Sequence, residues 1–390
     1  MKFIINKKMN KSVALRGRIV KILVPRAGRT YFKVGNAVLD TMLRGRKLKD
    51  YFTAQTGVPR GDGTTIRTLV YSRKDVLQEH MFKDAAVNNA AVQRVDVDYR
   101  GGIINFENNG EILPLNGTAG NDTKSGKDAK SVKEYKTSRP AILWIHGGGY
   151  AMGSPEQEFY FIKRILKAVD AVVISPEYLR SIEAPYPNAL NDCYSALVWL
   201  KDNAEKLGAD PDRIFVGGDS AGGGLCAAVC LYARDKKEVN VAFQMPLYPM
   251  LDDRPTRTNQ NNSTPCWDTQ SNDKAWKVYL GDLYGTDKVP YYAAPARAED
   301  LSGLPPAISY VGDIEPFYAE TVDFMEKLKA VGVNAEYRVY KGCYHGFDVI
   351  CPDSEPGADA IKFLHDSLVY AAENYVAKQN KPSKTRKNKA

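Results

Sequence analysis

Phe215-Val-Gly-Gly-Asp-Ser-Ala-Gly-Gly-Gly224 joins a strand-like apolar segment, Arg213 to Val216, to a helix-like one, Ala221 to Ala233. Within it, Gly218-Asp-Ser220-Ala-Gly222 has the spacing G-x-S-x-G. A nucleophile on a sharp strand-to-helix turn sits at strained backbone angles, and small flanking residues let neighbouring backbone pass close, so Ser220 would project above a sheet. A phosphate-binding turn would instead need a Gly-Lys-Ser/Thr sequence or a complete G-x-G-x-x-G fingerprint, and neither is present. The same strand-then-helix order recurs along the chain. Strand-like runs at Val92 to Tyr99, Ala141 to Ile145, Ala171 to Ile174, Val241 to Leu247, Ala307 to Val311 and Ala335 to Tyr340 alternate with helix-like stretches. The helix-like stretches are Glu158–Val169, Ala189–Lys206, Tyr318–Ala330 and Gly357–Tyr375. Parallel strands cannot be joined by a tight turn and need crossover helices, so this alternation predicts an α/β fold with a mostly parallel central sheet flanked by helices.

Composition agrees with a folded protein: of 390 residues, 44% are hydrophobic, 10% aromatic and 26% charged. No run approaches the roughly 20 uncharged apolar residues of a membrane-spanning helix. The net charge of +8 is concentrated at the ends, with ten Lys or Arg and no acid in residues 1–33, and six more basic residues in 378–389. Removing these sixteen from 54 leaves 38 basic against 46 acidic residues, an acidic body with basic termini. No nucleic-acid partner is expected, and weak contact with an anionic surface through the basic ends is the remaining reading of that charge. Lys7, Lys8, Lys11, Arg16 and Arg18 interrupt any signal-peptide apolar region. Six cysteines without a C-x-x-C pair fit reduced thiols in a cytoplasm better than a disulfide framework or a zinc site. Residues 1–85, with a helical patch at Val38 to Phe52, read as an N-terminal extension, either packed or serving as a lid; residues 86–376 read as the α/β domain, with a polar loop at 117–138, and 377–390 as a basic tail.

A second glycine run, Ile145-His-Gly-Gly-Gly-Tyr150, ends another strand. Attack by Ser220 on a carbonyl creates an oxyanion that needs preorganised N–H donors, and Gly147, Gly148, Gly149 and Ala221 are the candidates. Serine also needs a base. His80 precedes the sheet, His146 belongs to the glycine run and His365 lies in the apolar pattern of a terminal helix. His345, in Gly342-Cys-Tyr-His-Gly-Phe347 just after a strand, is the candidate base, because α/β sites assemble at the C-terminal ends of strands. A carboxylate must fix its tautomer, and Tyr310-Val-Gly-Asp-Ile-Glu-Pro-Phe317 offers both Asp313 and Glu315, which propensity does not separate.

Together, His146-Gly-Gly-Gly149, Gly217-Gly-Asp-Ser-Ala-Gly-Gly223, Leu301-Ser-Gly-Leu-Pro-Pro-Ala307 and His345-Gly-Phe347 resemble, in order, the motifs of the hormone-sensitive-lipase-like carboxylesterases of the α/β-hydrolase fold. The resemblance covers roughly residues 85–375 and makes His146 and Asp219 supporting motif positions. The family's acid opens an Asp-Pro-Leu stretch where this chain has Glu315-Pro-Phe317, so the resemblance favours Glu315, a departure from the usual Asp. Tyr178-Leu-Arg-Ser-Ile-Glu183 departs from the family's Tyr-Arg-Leu-Ala-Pro-Glu. The resemblance also implies a lid from N-terminal helices and from an insertion near Cys266 to Leu283, whose Trp267, Trp276 and Tyr279 either line an acyl pocket or pack within the lid.

The expected function is ester hydrolysis through an acyl-enzyme on Ser220, with no cofactor and no metal, and the resemblance implies small, short-chain esters as substrates. A deacetylase or amidase would use the same mechanism. A non-catalytic small-molecule binder on the same fold is the alternative from another class.

Overall fold

The computed structural model describes residues 9–23, 28–73, 105–106 (backbone only) and 138–380. Two helices come first, α1 (Lys11–Leu23) and α2 (Arg29–Leu43), followed by strands β1 (Tyr51–Pro59) and β2 (Thr65–Arg73) and a two-residue strand β3 (Asn105–Phe106). The alternating body then runs β4 (Pro140–Ile145), α3 (Phe159–Ala168), β5 (Val172–Pro176), α4 (Asn188–Asn203), β6 (Asp210–Asp219), α5 (Ala221–Lys236) and β7 (Phe243–Leu247). It closes with α6 (Thr269–Leu280), β8 (Ala307–Gly312), α7 (Tyr318–Ala330), β9 (Ala335–Tyr340), the short α8 (Phe347–Ile350) and α9 (Glu355–Asn374).

The strands form one sheet in the order β3-β1-β2-β5-β4-β6-β7-β8-β9. From β5 to β9 every pairing is parallel, whereas β2 runs antiparallel to both β1 and β5. Helices cover both faces, so the central strands are buried on both sides, and β4 is buried at every position. Strand alternation divides it: Ala141, Leu143 and Ile145 join the core under α4 and α5, while Ile142 and Trp144 join the one under α3 and α9. The strand-helix alternation expected from sequence is therefore present, except that Val92 to Tyr99 and residues 117–137 of the loop lie outside the described residues.

Three expectations need correction. The helical patch at Val38 to Phe52 is interrupted, since α2 stops at Leu43 and Tyr51 already opens β1. Residues 51–73 are an antiparallel hairpin that extends the central sheet, so a boundary at 85/86 cuts through the α/β layer. Gly61-Asp-Gly63 between two runs rich in Thr, Val and Ile was the available hairpin signal. Residues 377–380 are not a loose tail: the Ala377 N–H donates to the Asp212 carbonyl, and the Gln379 amide donates to the carbonyls of Pro211 and Asn240.

Candidate functional site

The turn from β6 into α5 holds Ser220 at φ 56° and ψ −121°, a conformation costly for a residue with a Cβ. The surroundings hold it there. The Ser220 N–H donates to the Leu247 carbonyl, and its own carbonyl accepts from Gly224 and Met250. A Cβ on Gly222 would stand 2.1 Å from the Ile145 carbonyl oxygen, and one on Gly218 would stand 2.5 Å from that of Gly222. The G-x-S-x-G spacing thus reflects the close approach of β4, β6 and the first turn of α5.

His345 lies on the loop after β9, with its Nε2 2.8 Å from the Ser220 Oγ. On the other side of the ring, Nδ1 is 2.5 Å from Oε2 of Glu315, in the loop after β8. Oε1 of Glu315 accepts from the Gly312 N–H at 3.0 Å, so both carboxylate oxygens are engaged in a fully buried position. With Nδ1 carrying its proton toward the carboxylate, Nε2 is left to accept from the serine hydroxyl. Tyr248 and Phe317 meet the imidazole edge-on, each at 4.9 Å between ring centres, and hold its plane.

Asp313, the other candidate acid, faces elsewhere: its Oδ1 accepts from the Gly342 N–H at 2.6 Å. It ties the end of β8 to the start of the loop that carries His345, and its backbone N–H donates to the Tyr340 carbonyl.

The glycine run after β4 packs beside the nucleophile turn, against Asp219 and Gly222. Gly148 and Gly149 both have positive φ, 116° and 62°, and a Cβ on Gly148 would overlap the Met152 carbonyl at 2.0 Å. Among the described residues, no acceptor is found for the N–H groups of Gly148, Gly149 or Ala221. Burial raises the Glu158 carboxyl, and the Trp144 indole, the Gln157 amide and the nearby Gly147 N–H oppose that rise, so Gly148 and Gly149 are the less engaged donor candidates of this loop. His146 is wholly buried, stacked on Tyr178 with ring centres 4.0 Å apart, and burial pushes its pKa down to about 4, so its ring is neutral and structural. Asp219 lies beneath Gly147; burial and the neighbouring Glu158 carboxyl push its own carboxyl well above the usual range.

Sequence reasoning missed two parts of this site. Glu158 also accepts from the Trp144 indole N–H at 2.8 Å and from the Gln157 amide at 3.0 Å. Asn36 of α2 is buried against the glycine loop, donating to the Ala151 carbonyl and accepting from the Gly153 N–H, both at 3.0 Å. No local pattern marks either residue. Of the three aromatic candidates, Trp276 and Tyr279 pack behind the loop on Tyr150, with Tyr279 stacked at 3.9 Å. Trp267 alone reaches the site, its ring covering Gly149. Among the described residues no group of three or more His, Cys, Asp or Glu is placed to hold a metal ion.

A nucleophile elbow, a buried imidazole between serine and carboxylate, and a glycine donor loop, all at one end of a parallel sheet, define a hydrolase-type site. The chain belongs to the α/β-hydrolase fold family, whose model matches residues 142–349, and within it to the hormone-sensitive-lipase-like group. The esterase LipI of Mycobacterium tuberculosis is 32% identical over 210 residues, which cover 53% of this chain and 65% of that protein. The carboxylesterase NlhH of the same organism is 34% identical over 212 residues, covering 53% of this chain and 66% of its own. The chain thus spans just under two thirds of the length of these relatives. Among solved structures, a bacterial heroin esterase is 26% identical with a TM-score of 0.71, over 94% of this chain and 98% of that one.

Proposed function

We propose that this protein is a serine carboxylic-ester hydrolase acting on small, short-chain acyl esters. The observation that carries the reading is the continuous relay from the Ser220 Oγ through His345 to Glu315, at 2.8 and 2.5 Å. The Ser220 oxygen attacks the ester carbonyl carbon while Nε2 of His345 takes the hydroxyl proton, and Glu315 stabilises the imidazolium that forms. The N–H groups of Ala221, Gly148 and Gly149 receive the negative charge that develops on the carbonyl oxygen. Collapse expels the alcohol, protonated by His345, and leaves an acyl ester on Ser220. Water, deprotonated by the same imidazole, then releases the acid. The covering of Gly149 by Trp267 and the flanking of His345 by Tyr248 and Phe317 favour a short acyl group. The esterase and carboxylesterase names of the relatives support the same class.

The test is hydrolysis of p-nitrophenyl esters from acetate to long acyl chains, by the wild type and by Ser220→Ala. Rates that fall with chain length and vanish in the variant are expected. No turnover of any ester by folded wild type, or equal turnover by the variant, would overturn the reading.

A further inference from the structure

The two N-terminal helices stand directly on the site. Gly17 of α1 packs against the Tyr344 ring, one residue before His345, and the Tyr344 hydroxyl donates to the Val13 carbonyl. Gly35 of α2 packs against Met152, and Asn36 holds Ala151 and Gly153 beyond the glycine run. Both helices therefore spend one side on the loops that carry the base and the oxyanion donors, and turn the other side away from the body.

That outer side is apolar. On α1, Leu15, Ile19 and Ile22 are exposed, Leu15 at 69% and Ile22 at 82%, at the i, i+4, i+7 spacing of one helical face. On α2, Val34, Val38 and Met42 repeat the arrangement at i, i+4, i+8. Basic side chains border both stripes: Lys11 and Arg18 are exposed on α1, and Arg29 and Lys33 on α2. Through residue 33 the chain carries ten Lys or Arg and no acid. An apolar face rimmed by cations is the pattern of helices that lie in a lipid interface, with apolar groups at the acyl boundary and cations among anionic headgroups.

We propose that the outer faces of α1 and α2 form a docking surface for an anionic phospholipid bilayer, which brings the mouth of the Ser220 site to the lipid surface. A second copy of the chain fits the surface poorly, because a two-fold contact would set cation against cation: the single acid of the two helices, Asp40 on α2, is already paired with Arg180. A nucleic acid would use the cations but leave six apolar side chains without a function.

The test is partitioning of the full chain onto vesicles of phosphatidylcholine alone and of phosphatidylcholine with phosphatidylglycerol, at low and high salt. Binding to the anionic vesicles only, weakened by salt, is expected. Arg18→Gln and Lys33→Gln should each weaken it about fivefold, and Ile22→Ser and Val38→Ser each about tenfold, with p-nitrophenyl acetate hydrolysis and melting temperature unchanged. Absence of binding, or equal binding to neutral vesicles, would overturn the proposal. Salt-sensitive binding untouched by Ile22→Ser and Val38→Ser would also overturn it, since purely electrostatic contact, including displacement of vesicles by duplex DNA, needs no apolar face. A wild-type dimer that becomes monomeric on Ile22→Ser would assign the surface to a second copy instead.

Discussion

Replacing Glu315 by Gln tests the catalytic reading most sharply, because the change keeps the volume and one acceptor oxygen while removing the charge. In the wild type, Nδ1 of His345 lies 2.5 Å from a fully buried carboxylate oxygen. When the imidazole takes the Ser220 proton, the two charge centres are about 4 Å apart, worth about 4 kcal/mol at an effective dielectric of about 20. The charge-assisted hydrogen bond adds about 1.5 kcal/mol. Together these amount to about 5.5 kcal/mol, or about 10⁴ in kcat, the size of loss seen when a triad acid becomes its amide. The Gly312 N–H keeps an acceptor in the amide oxygen, so the melting temperature should move little. Asp313→Asn should lose less than about fivefold, since the amide oxygen still accepts from Gly342 and a single neutral bond is worth about 1 kcal/mol. Glu315→Asp retracts the carboxylate by about one C–C bond, about 1.5 Å, and should fall between the two. The assay is steady-state hydrolysis of p-nitrophenyl acetate, with folding followed by circular dichroism. A folded Glu315→Gln variant within tenfold of wild type, or an Asp313→Asn variant that loses about 10³ or more, would refute the assignment.

Gly222→Ala drives a Cβ into the Ile145 carbonyl at 2.1 Å and the His146 carbonyl at 2.6 Å, both backbone atoms. It should cost about 3 kcal/mol or more, measured by urea denaturation. Asn36→Leu leaves the buried Ala151 carbonyl and Gly153 N–H without partners, a loss of about 2–5 kcal/mol together; melting temperature and kcat should fall together, because the glycine run is released with them. Burial pushes the Asp348 carboxyl from 3.8 up to about 6, so the folded state holds this proton more tightly than the unfolded chain does. Its contribution to stability is full below pH 3.8 and lost as the pH rises through 6, a change on the order of 3 kcal/mol. Asp348→Asn keeps an acceptor for the Tyr310 hydroxyl and should remove that component when unfolding free energies at pH 4 and pH 7 are compared.

Where the chain repeats strand and helix, the pattern was readable because parallel strands covered on both faces carry apolar runs, as Ala141 to Ile145 does. The hairpin at 51–73 is marked only by its Gly61-Asp-Gly63 turn, because its strands place Thr53, Thr56 and Thr68 in buried positions and show no clean alternation. Ser220, His345 and the glycine run could be picked out locally, since a nucleophile elbow and a donor turn need glycine at fixed offsets. Asp313 and Glu315, in contrast, sit two residues apart in one loop. Which of them meets the imidazole depends on how that loop leaves β8 beside the loop after β9, a relation between segments about 30 residues apart. Glu158, beneath the glycine run, and Asn36, reaching it from α2, acquire their roles only when groups far apart in the chain are brought within about 3 Å. The sequence by itself determined the fold class and singled out the candidate nucleophile and base, because those rest on periodicity and on backbone sterics within a few residues. Which carboxylate meets the imidazole, which backbone N–H groups stay open beside Ser220 and which buried polar groups hold the glycine run are visible only in the tertiary structure, because hydrogen bonding and desolvation act between atoms in space, whatever their separation along the chain.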